Sequence, residues 1–311
     1  LWTGTWLSGF FIICTNAFMQ HPQGYVVDAQ GVLHLTSFSQ LLLNPWAWVQ
    51  YSHTMIGATI TGSFTVAATA AFFILQKRDF AVASKMLKAS VVIGTVAAIA
   101  AAFPTGDAQA KLVLQHQPEA FAAMEGHFHT EVGAGMTLIG QPNVEELRID
   151  NPIRIPLMLS FLTHQRWDTE IKGLTEFPRE RWPDNIPLLY YAYHVMAGLG
   201  SIFIGLMGLA SFLLYRGKLF ENRGVLWALM LTFPLPFVAN TMGWMTAELG
   251  RQPWLVHGVL RTADRSSPHV SSGSTLFSLL GFMGLYGLLS LLYFLLITRL
   301  LQRGLAPAEE A

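Results

Sequence analysis

Cysteine is almost missing from this chain. Cys14 stands alone among 311 residues, inside an apolar stretch. One cysteine cannot close an internal disulfide, attach a haem through a CxxCH motif or ligate an iron–sulfur cluster, and the burial habit of free cysteine assigns Cys14 to a packed core. Charge is scarce as well. Asp, Glu, Lys and Arg make up 12% of the chain and hydrophobic residues 52%, against about 25% charged residues in a soluble domain. Mean hydropathy is +0.41, so much of the surface is expected to face lipid. Formal net charge is zero, and no basic field points to nucleic acid. There is no internal repeat, no low-complexity tract and no alternating pattern of a membrane β-barrel. The chain opens at Leu1 directly in an apolar run, without an initiator Met, a basic n-region or a small-residue cleavage site. It does not read as a signal peptide, and an N-terminally truncated piece is the expectation.

What is present is a set of long apolar runs. A bilayer core needs about 20 mostly apolar residues as helix. Six segments are expected to cross: Trp2–Gln20, Trp48–Leu75, Leu87–Phe103, Pro187–Tyr215, Gly224–Leu249 and Ser274–Leu300. Basic residues then orient them. Lys77, Arg78, Lys85 and Lys88 follow the second span, Arg216, Lys218 and Arg223 the fourth, and Arg299 and Arg303 end the sixth, whereas the segment 20–47 has no Lys or Arg. The basic turns and the tail belong in the cytoplasm, and the loops 20–47, 104–186 and 250–273 face outward. The expected fold is all-α: a polytopic bundle of about six transmembrane helices with one long extracytoplasmic loop. Its parts are helices one to three (1–104), the outer loop (105–186), helices four to six (187–300) and a cytoplasmic tail (301–311).

An ionisable side chain inside a span is costly and marks function by default. His53 lies about one turn into the second span, and neutral imidazole is a good haem-iron ligand; a histidine bonded to a neighbouring helix is the plainer alternative. The fourth span opens with Tyr190-Tyr191-Ala192-Tyr193-His194-Val195-Met196-Ala197-Gly198-Leu199-Gly200. His194 and Met196 are candidate axial ligands there, although a Met in an apolar helix usually packs. The fifth span ends with Trp244, Glu248 and Arg251. An interfacial ion pair with Trp anchors competes with a carboxylate facing a cofactor, Arg251 holding a propionate with its bidentate fork. His53, Met196 and Glu248 all fall near the outward ends of their spans, at one membrane depth.

Together these stretches resemble the large, haem-carrying subunit (subunit I) of cytochrome bd-type quinol oxidases. The most specific is Gly250-Arg251-Gln252-Pro253-Trp254 with Glu248 before it. Supporting stretches are Asn16-Ala17-Phe18-Met19-Gln20-His21-Pro22, Ser52-His53-Thr54, Gly106-Asp107, Gln117-Pro118 with Ala122-Ala123-Met124-Glu125-Gly126, and the Met196 segment. They cover nearly the whole chain in the family's order, from its fourth membrane helix to its last. The resemblance implies that His53 and Met196 are axial ligands of a low-spin haem b. Glu248 would be the ligand of a high-spin haem b, with Arg251, Trp244 and Trp254 near the haems. It implies a third cofactor, haem d or a second high-spin haem b. Glu125 would serve quinol oxidation within a short quinol-binding loop, and Ser8 and Asn16 would lie in a proton-delivery region, although such residues also simply bond neighbouring helices.

Three departures stand out. Many members carry a lysine at Ala120, some carry an arginine where His194 stands, and the oxygen-site ligand belongs to helices absent from this chain, so the fragment alone is expected to be inactive. The implied activity is quinol:oxygen oxidoreductase in the respiratory chain of the bacterial cytoplasmic (inner) membrane. Ubiquinol or menaquinol is oxidised outside, and oxygen is reduced to water with cytoplasmic protons. That builds a proton motive force without pumping. The implied partners are a second oxidase subunit, a small single-span subunit and the lipid bilayer. Two other readings remain open: a transporter or assembly factor using His53 and Glu248 as a proton relay, and a di-haem quinol dehydrogenase, which usually employs histidine pairs in a four-helix bundle. His127-Phe128-His129 is too small a set for a metal, and His21, His34, His116, His164, His257 and His269 are expected to be polar loop or interface residues.

Overall fold

The computed structural model describes residues 2–264 and 270–304. His269 and most of the tail lie outside the described residues. Helix α1 (Trp2–Gln20) leads into a short hairpin, β1 (Tyr25–Val27) with β2 (Leu33–Leu35), and a single turn, α2 (Phe38–Leu42). Helix α3 (Pro45–Leu75) starts where it does because Asn44 caps Trp46 N and Pro45 occupies the first turn. A proline there costs no hydrogen bond, since that N–H has no partner within the helix. After a tight basic turn, α4 (Phe80–Ala100) runs back. It passes through a π-helical turn, Ala101–Gly106, directly into α5 (Asp107–His116).

The outer segment is more structured than a loop. It carries α6 (Pro118–Glu125), a hairpin of β4 (Met136–Asn143) and β5 (Arg148–Ile155), the short helix α7 (Met158–His164), and the strand pair β3 (Glu131–Val132) with β6 (Glu170–Ile171). Then come α8 (Ile186–Tyr215), α9 (Arg223–Leu231), α10 (Leu235–Arg251), a hairpin of β7 (Trp254–Val256) with β8 (Leu260–Arg261), and α11 (Ser272–Arg303).

Four stretches are long and apolar enough to cross a membrane: Phe38–Leu75, Phe80–His116, Ile186–Tyr215 and Ser272–Arg303. Among the described residues, the pair α9 and α10, bent by 42°, adds a fifth if the two helices form one broken span. The bend falls at Thr232, Phe233 and Pro234; proline removes a ladder bond and kinks helices, and Thr232 Oγ1 donates to Ala228 O at 2.7 Å. The expected count of six is met by four helices, or five with the bent pair, by length and composition. Helix α1 forms over the expected residues, but Thr3, Thr5, Ser8, Thr15, Asn16 and Gln20 dilute its hydropathy. The third expected span also runs further, to His116, because the π turn carries the helix past Pro104 instead of ending it.

The main core joins α3, α4, α8 and α9 through Phe64, Phe73, Leu87, Val91, Phe203, Met207, Leu226 and Leu229, all buried. A second core lies under the outer segment, where Phe121, Met124, Phe128, Ile171, Leu174, Leu189 and Tyr190 meet. Cys14 is buried with Ala17 and Trp46, as expected.

Candidate functional site

Helix α10 organises the site. It packs against α8 on one side, α3 on another, and α6 near its end. Glycines permit the close approaches. A Cβ on Gly243 would stand 2.9 Å from Met196 Sδ, and one on Gly57 would stand 2.6 Å from Asn240 Oδ1. At 3.6 residues per turn, Glu248 is displaced from Gly243 by about 140° around α10. Met196 thus meets one face of the helix, and Glu248 works from another.

His53 projects from α3 against the π turn. Its Nδ1 is 3.0 Å from Thr105 Oγ1, and a Cβ on Gly106 would reach its Cε1 at 3.6 Å. Among the described residues His53 Nε2 has no hydrogen-bond partner. The π turn touches both α3 and α8, so the His53 and Met196 helices are joined by it and by α10. Helix α3 is about 46 Å long and the bilayer core about 30 Å. His53 lies about 12 Å along α3 from its N-terminal end, and Met196 about 15 Å along α8 from its own.

On the second face, Glu248 is clamped at both oxygens. Asn16 Nδ2 donates to Oε1 at 2.7 Å, and Arg251 Nη2 donates to Oε2. Asn16 is itself held by α3, because its Oδ1 accepts from Gln50 Nε2 at 2.8 Å. Arg251 is buried and keeps two donors, Nε and Nη1, without partners. Two buried N–H groups of a guanidinium left open are costly, and they fit an anionic group supplied from outside the chain. Gln20 Nε2 donates to Ala247 O at 3.0 Å and Gln117 Nε2 to Gln20 Oε1 at 2.9 Å, which ties the outer segment to the same helix end.

Helix α6 carries two carboxylates of opposite character. Glu125 is buried with Oε2 unpartnered; burial pushes its carboxyl up to about 7, against the pull of a hydrogen bond with Tyr193. Glu119 is also buried, and burial alone would raise it. Hydrogen bonding to His257 and the charge of Arg181 win, and hold it below its ordinary value. Arg181 Nη2 donates to Glu119 Oε1 at 2.9 Å, and His257 Nε2 lies 3.5 Å from the same oxygen. Cavities of about 580 Å³ and 560 Å³ open beside the start of α6.

The remaining expected site residues are placed as follows. His194 has both ring nitrogens engaged, with Tyr190 O at 2.9 Å and Thr137 O at 3.0 Å, and its ring stacks on Tyr190. It tethers the β4–β5 hairpin to α8. Trp244 is 38% exposed, which suits an interfacial anchor. Trp254 has a buried Nε1 without a partner, and Arg261 lies over its ring. Among the described residues Ser8 bonds within its own helix, its Oγ donating to Thr5 O at 3.1 Å. Ala120 is buried 3.7 Å from the Cβ that Gly250 lacks, so α6 rests on α10 where a longer side chain would hold them apart. His127 is buried and bonds Ile171 O. Thr105, Gln50, Glu119 and Tyr193 belong to the site but were not singled out from the sequence. Pro104-Thr105-Gly106 inside a helical run was the one visible signal.

The sequence profile described as "Cytochrome bd terminal oxidase subunit I" matches residues 1–305. The chain is 32% identical over 313 residues to cytochrome bd ubiquinol oxidase subunit 1 of Bacillus subtilis (strain 168), an alignment covering 97% of this chain and 66% of that protein. It is 27% identical over 351 residues to cytochrome bd-II ubiquinol oxidase subunit 1 of Escherichia coli (strain K12), covering 92% of this chain and 68% of that protein. Among solved structures, the bd oxidase from Geobacillus thermodenitrificans superposes with a TM-score of 0.86 at 27% identity, over 97% of this chain and 68% of the other. The chain thus spans about two thirds of the length of these relatives.

Proposed function

The chain belongs to the cytochrome bd terminal oxidase subunit I family, and from that premise we propose that it is the haem-binding core of a terminal oxidase that oxidises quinol at the outer face of the bacterial cytoplasmic membrane and reduces oxygen to water. When bound, the haems supply electron transfer from quinol and the reduction of oxygen. Everything else falls to side chains. His53 and Met196 hold the low-spin haem b, and His/Met ligation raises a haem's potential, which suits an electron acceptor for quinol. Glu248 holds the high-spin haem b, and Arg251 pairs with a propionate through the donors it keeps free. The oxygen-reducing haem would be haem d or a second high-spin haem b.

The observation that carries this reading is a set of polar groups left open where α3, α8 and α10 meet: a histidine whose Nε2 has no partner among the described residues, and a buried guanidinium with two unpartnered N–H groups, with the Met196 thioether close against Gly243. Close-packed lipid-facing helices have no use for such gaps.

Glu125 acts as the proton acceptor for quinol at the outer face. Its elevated carboxyl sits close to the operating pH, where general bases are most effective. The outer segment 105–186 is the quinol-binding part, between helices 1–104 and 187–300. Because protons leave outside and those for oxygen reduction enter from the cytoplasm, turnover separates charge without pumping. Ubiquinol or menaquinol, oxygen, a second oxidase subunit and a small single-span subunit are the partners of this arrangement. The test is the visible spectrum of the full-length complex carrying His53→Ala. The low-spin haem b signal is expected to vanish while the high-spin signal persists; survival of the low-spin signal sinks the assignment.

A further inference from the structure

The π turn between α4 and α5 is the least regular piece of backbone inside the bundle, and it lies against His53. Such turns recur at functional sites. Here the turn is Ala101–Gly106, with Pro104 inside it. Gly106 is required: a Cβ there would come within 2.5 Å of Ala101 O. With the glycine, the backbone passes close enough to His53 for the neighbouring hydroxyl to reach the ring.

Thr105 has one hydroxyl hydrogen and three contacts. Its Oγ1 is 3.0 Å from Ala100 O and 3.4 Å from Ala101 O, acceptors that have no proton to give, and 3.0 Å from His53 Nδ1. One assignment satisfies them. The hydroxyl donates to the backbone, chiefly to the nearer Ala100 O, and accepts from His53 Nδ1–H. The hydrogen on the ring then resides on Nδ1, and Nε2 carries a lone pair. Nε2 is the nitrogen without a partner among the described residues. A backbone carbonyl therefore sets the tautomer of the imidazole through the hydroxyl of Thr105, which lies 52 residues from His53 in the chain.

We propose that Thr105 is a positioning residue for His53, fixing the ring's rotation and presenting an unprotonated Nε2 to the low-spin haem. A ligating imidazole that donates from its other nitrogen becomes a stronger donor, and loss of such a partner typically costs about 10- to 100-fold in affinity for the metal group. This inference rests on the reading of His53 as an iron ligand.

The experiment uses the full-length subunit with its partner in native membranes, and reads the low-spin haem by visible spectrum, retention and midpoint potential. Thr105→Val keeps the shape and removes the hydroxyl. It is expected to weaken retention of the low-spin haem about 10- to 100-fold and to raise its midpoint potential, since a poorer donor stabilises ferric iron less. The high-spin signal is expected to stay unchanged. Thr105→Ser restores the hydroxyl and is expected to return both properties to the parent's. A turn that Thr105 merely braces would lower stability without moving the potential. If Thr105→Val does not assemble, Thr105→Cys, with a weak acceptor in the same place, is expected to shift the potential in the same direction. An unchanged potential in whichever variant assembles overturns the proposal. His53→Ala separates the two claims: if it spares the low-spin signal, the ligand reading fails. If it abolishes that signal while Thr105→Val or Thr105→Cys leaves the potential alone, only the role of Thr105 fails.

Discussion

At the scale of single residues, the surroundings of Glu125 are assembled from distant parts of the chain: Tyr193 hydrogen-bonds its carboxyl, and the Ile149 and Tyr190 side chains enclose this end of α6. That environment makes a pH prediction. Burial raises the Glu125 carboxyl from 4.5 to about 7. A folded-state value above the unfolded one favours the fold most below the unfolded value, and that contribution is lost as pH rises through about 7. Catalysis runs the other way, because only the ionised carboxylate can take a proton. Quinol oxidation is therefore expected to climb as pH rises through about 7 while thermal stability declines over the same interval. Glu125→Gln should flatten both profiles and reduce turnover by about 100-fold or more. A variant that keeps the parent's stability profile between pH 5 and 8 would show that another group titrates there.

At the scale of elements, α10 meets Met196 on one face and carries Glu248 on another, and the separation of two sites proposed from it is testable. Gly243→Ala places a methyl 2.9 Å from Met196 Sδ. Overpacking of this kind costs about 1–3 kcal/mol, and here the thioether is what must move. Asn16→Leu removes the donor to Glu248 and the acceptor for Gln50, leaving polar groups unpaired at about 1–3 kcal/mol. The first variant is expected to disturb only the low-spin signature, the second only the high-spin one, each read in the spectrum of the reduced complex. Cross-effects of equal size would mean that α10 moves as one body. The helices themselves were legible: α1, α8 and α11 start and end within three residues of the apolar runs that announced them. Two interruptions were not. Pro234 breaks α9 from α10 where hydropathy ran on unbroken, and Pro104 does not end its helix, because a π turn absorbs it. Proline reports a lost hydrogen bond, and tertiary packing decides what replaces it. The Gln50–Asn16–Glu248 chain was equally hidden, since amides within an apolar run announce a partner without naming it.

At the scale of the whole molecule, the basic turns expected on one side do meet there. Arg78, in the turn after α3, donates to Gln302 O at the end of α11. Phe80 meets Phe220 edge to face at 5.6 Å, and Lys88 lies over the same ring. The tips joining α3 to α4 and α8 to α9, and the end of α11, therefore form one surface. Gln20, Gln117, Glu119, His257 and the hairpins form the opposite one. Connectivity between the two surfaces requires α3, α4, α8, the bent pair and α11 each to cross, which explains why hydropathy and charge agreed on orientation even though α1 is too polar to be counted with them. The single cysteine makes the arrangement measurable. In a Cys14→Ala background, Asn151→Cys on the exposed β4–β5 hairpin is expected to react with a membrane-impermeant maleimide added to intact cells. Lys218→Cys in the exposed α8–α9 turn should react only once the membrane is opened. Labelling of position 218 in intact cells would turn the chain over, and with it the outward placement of His53, Met196, Glu248 and Glu125 on which an extracytoplasmic quinol site depends.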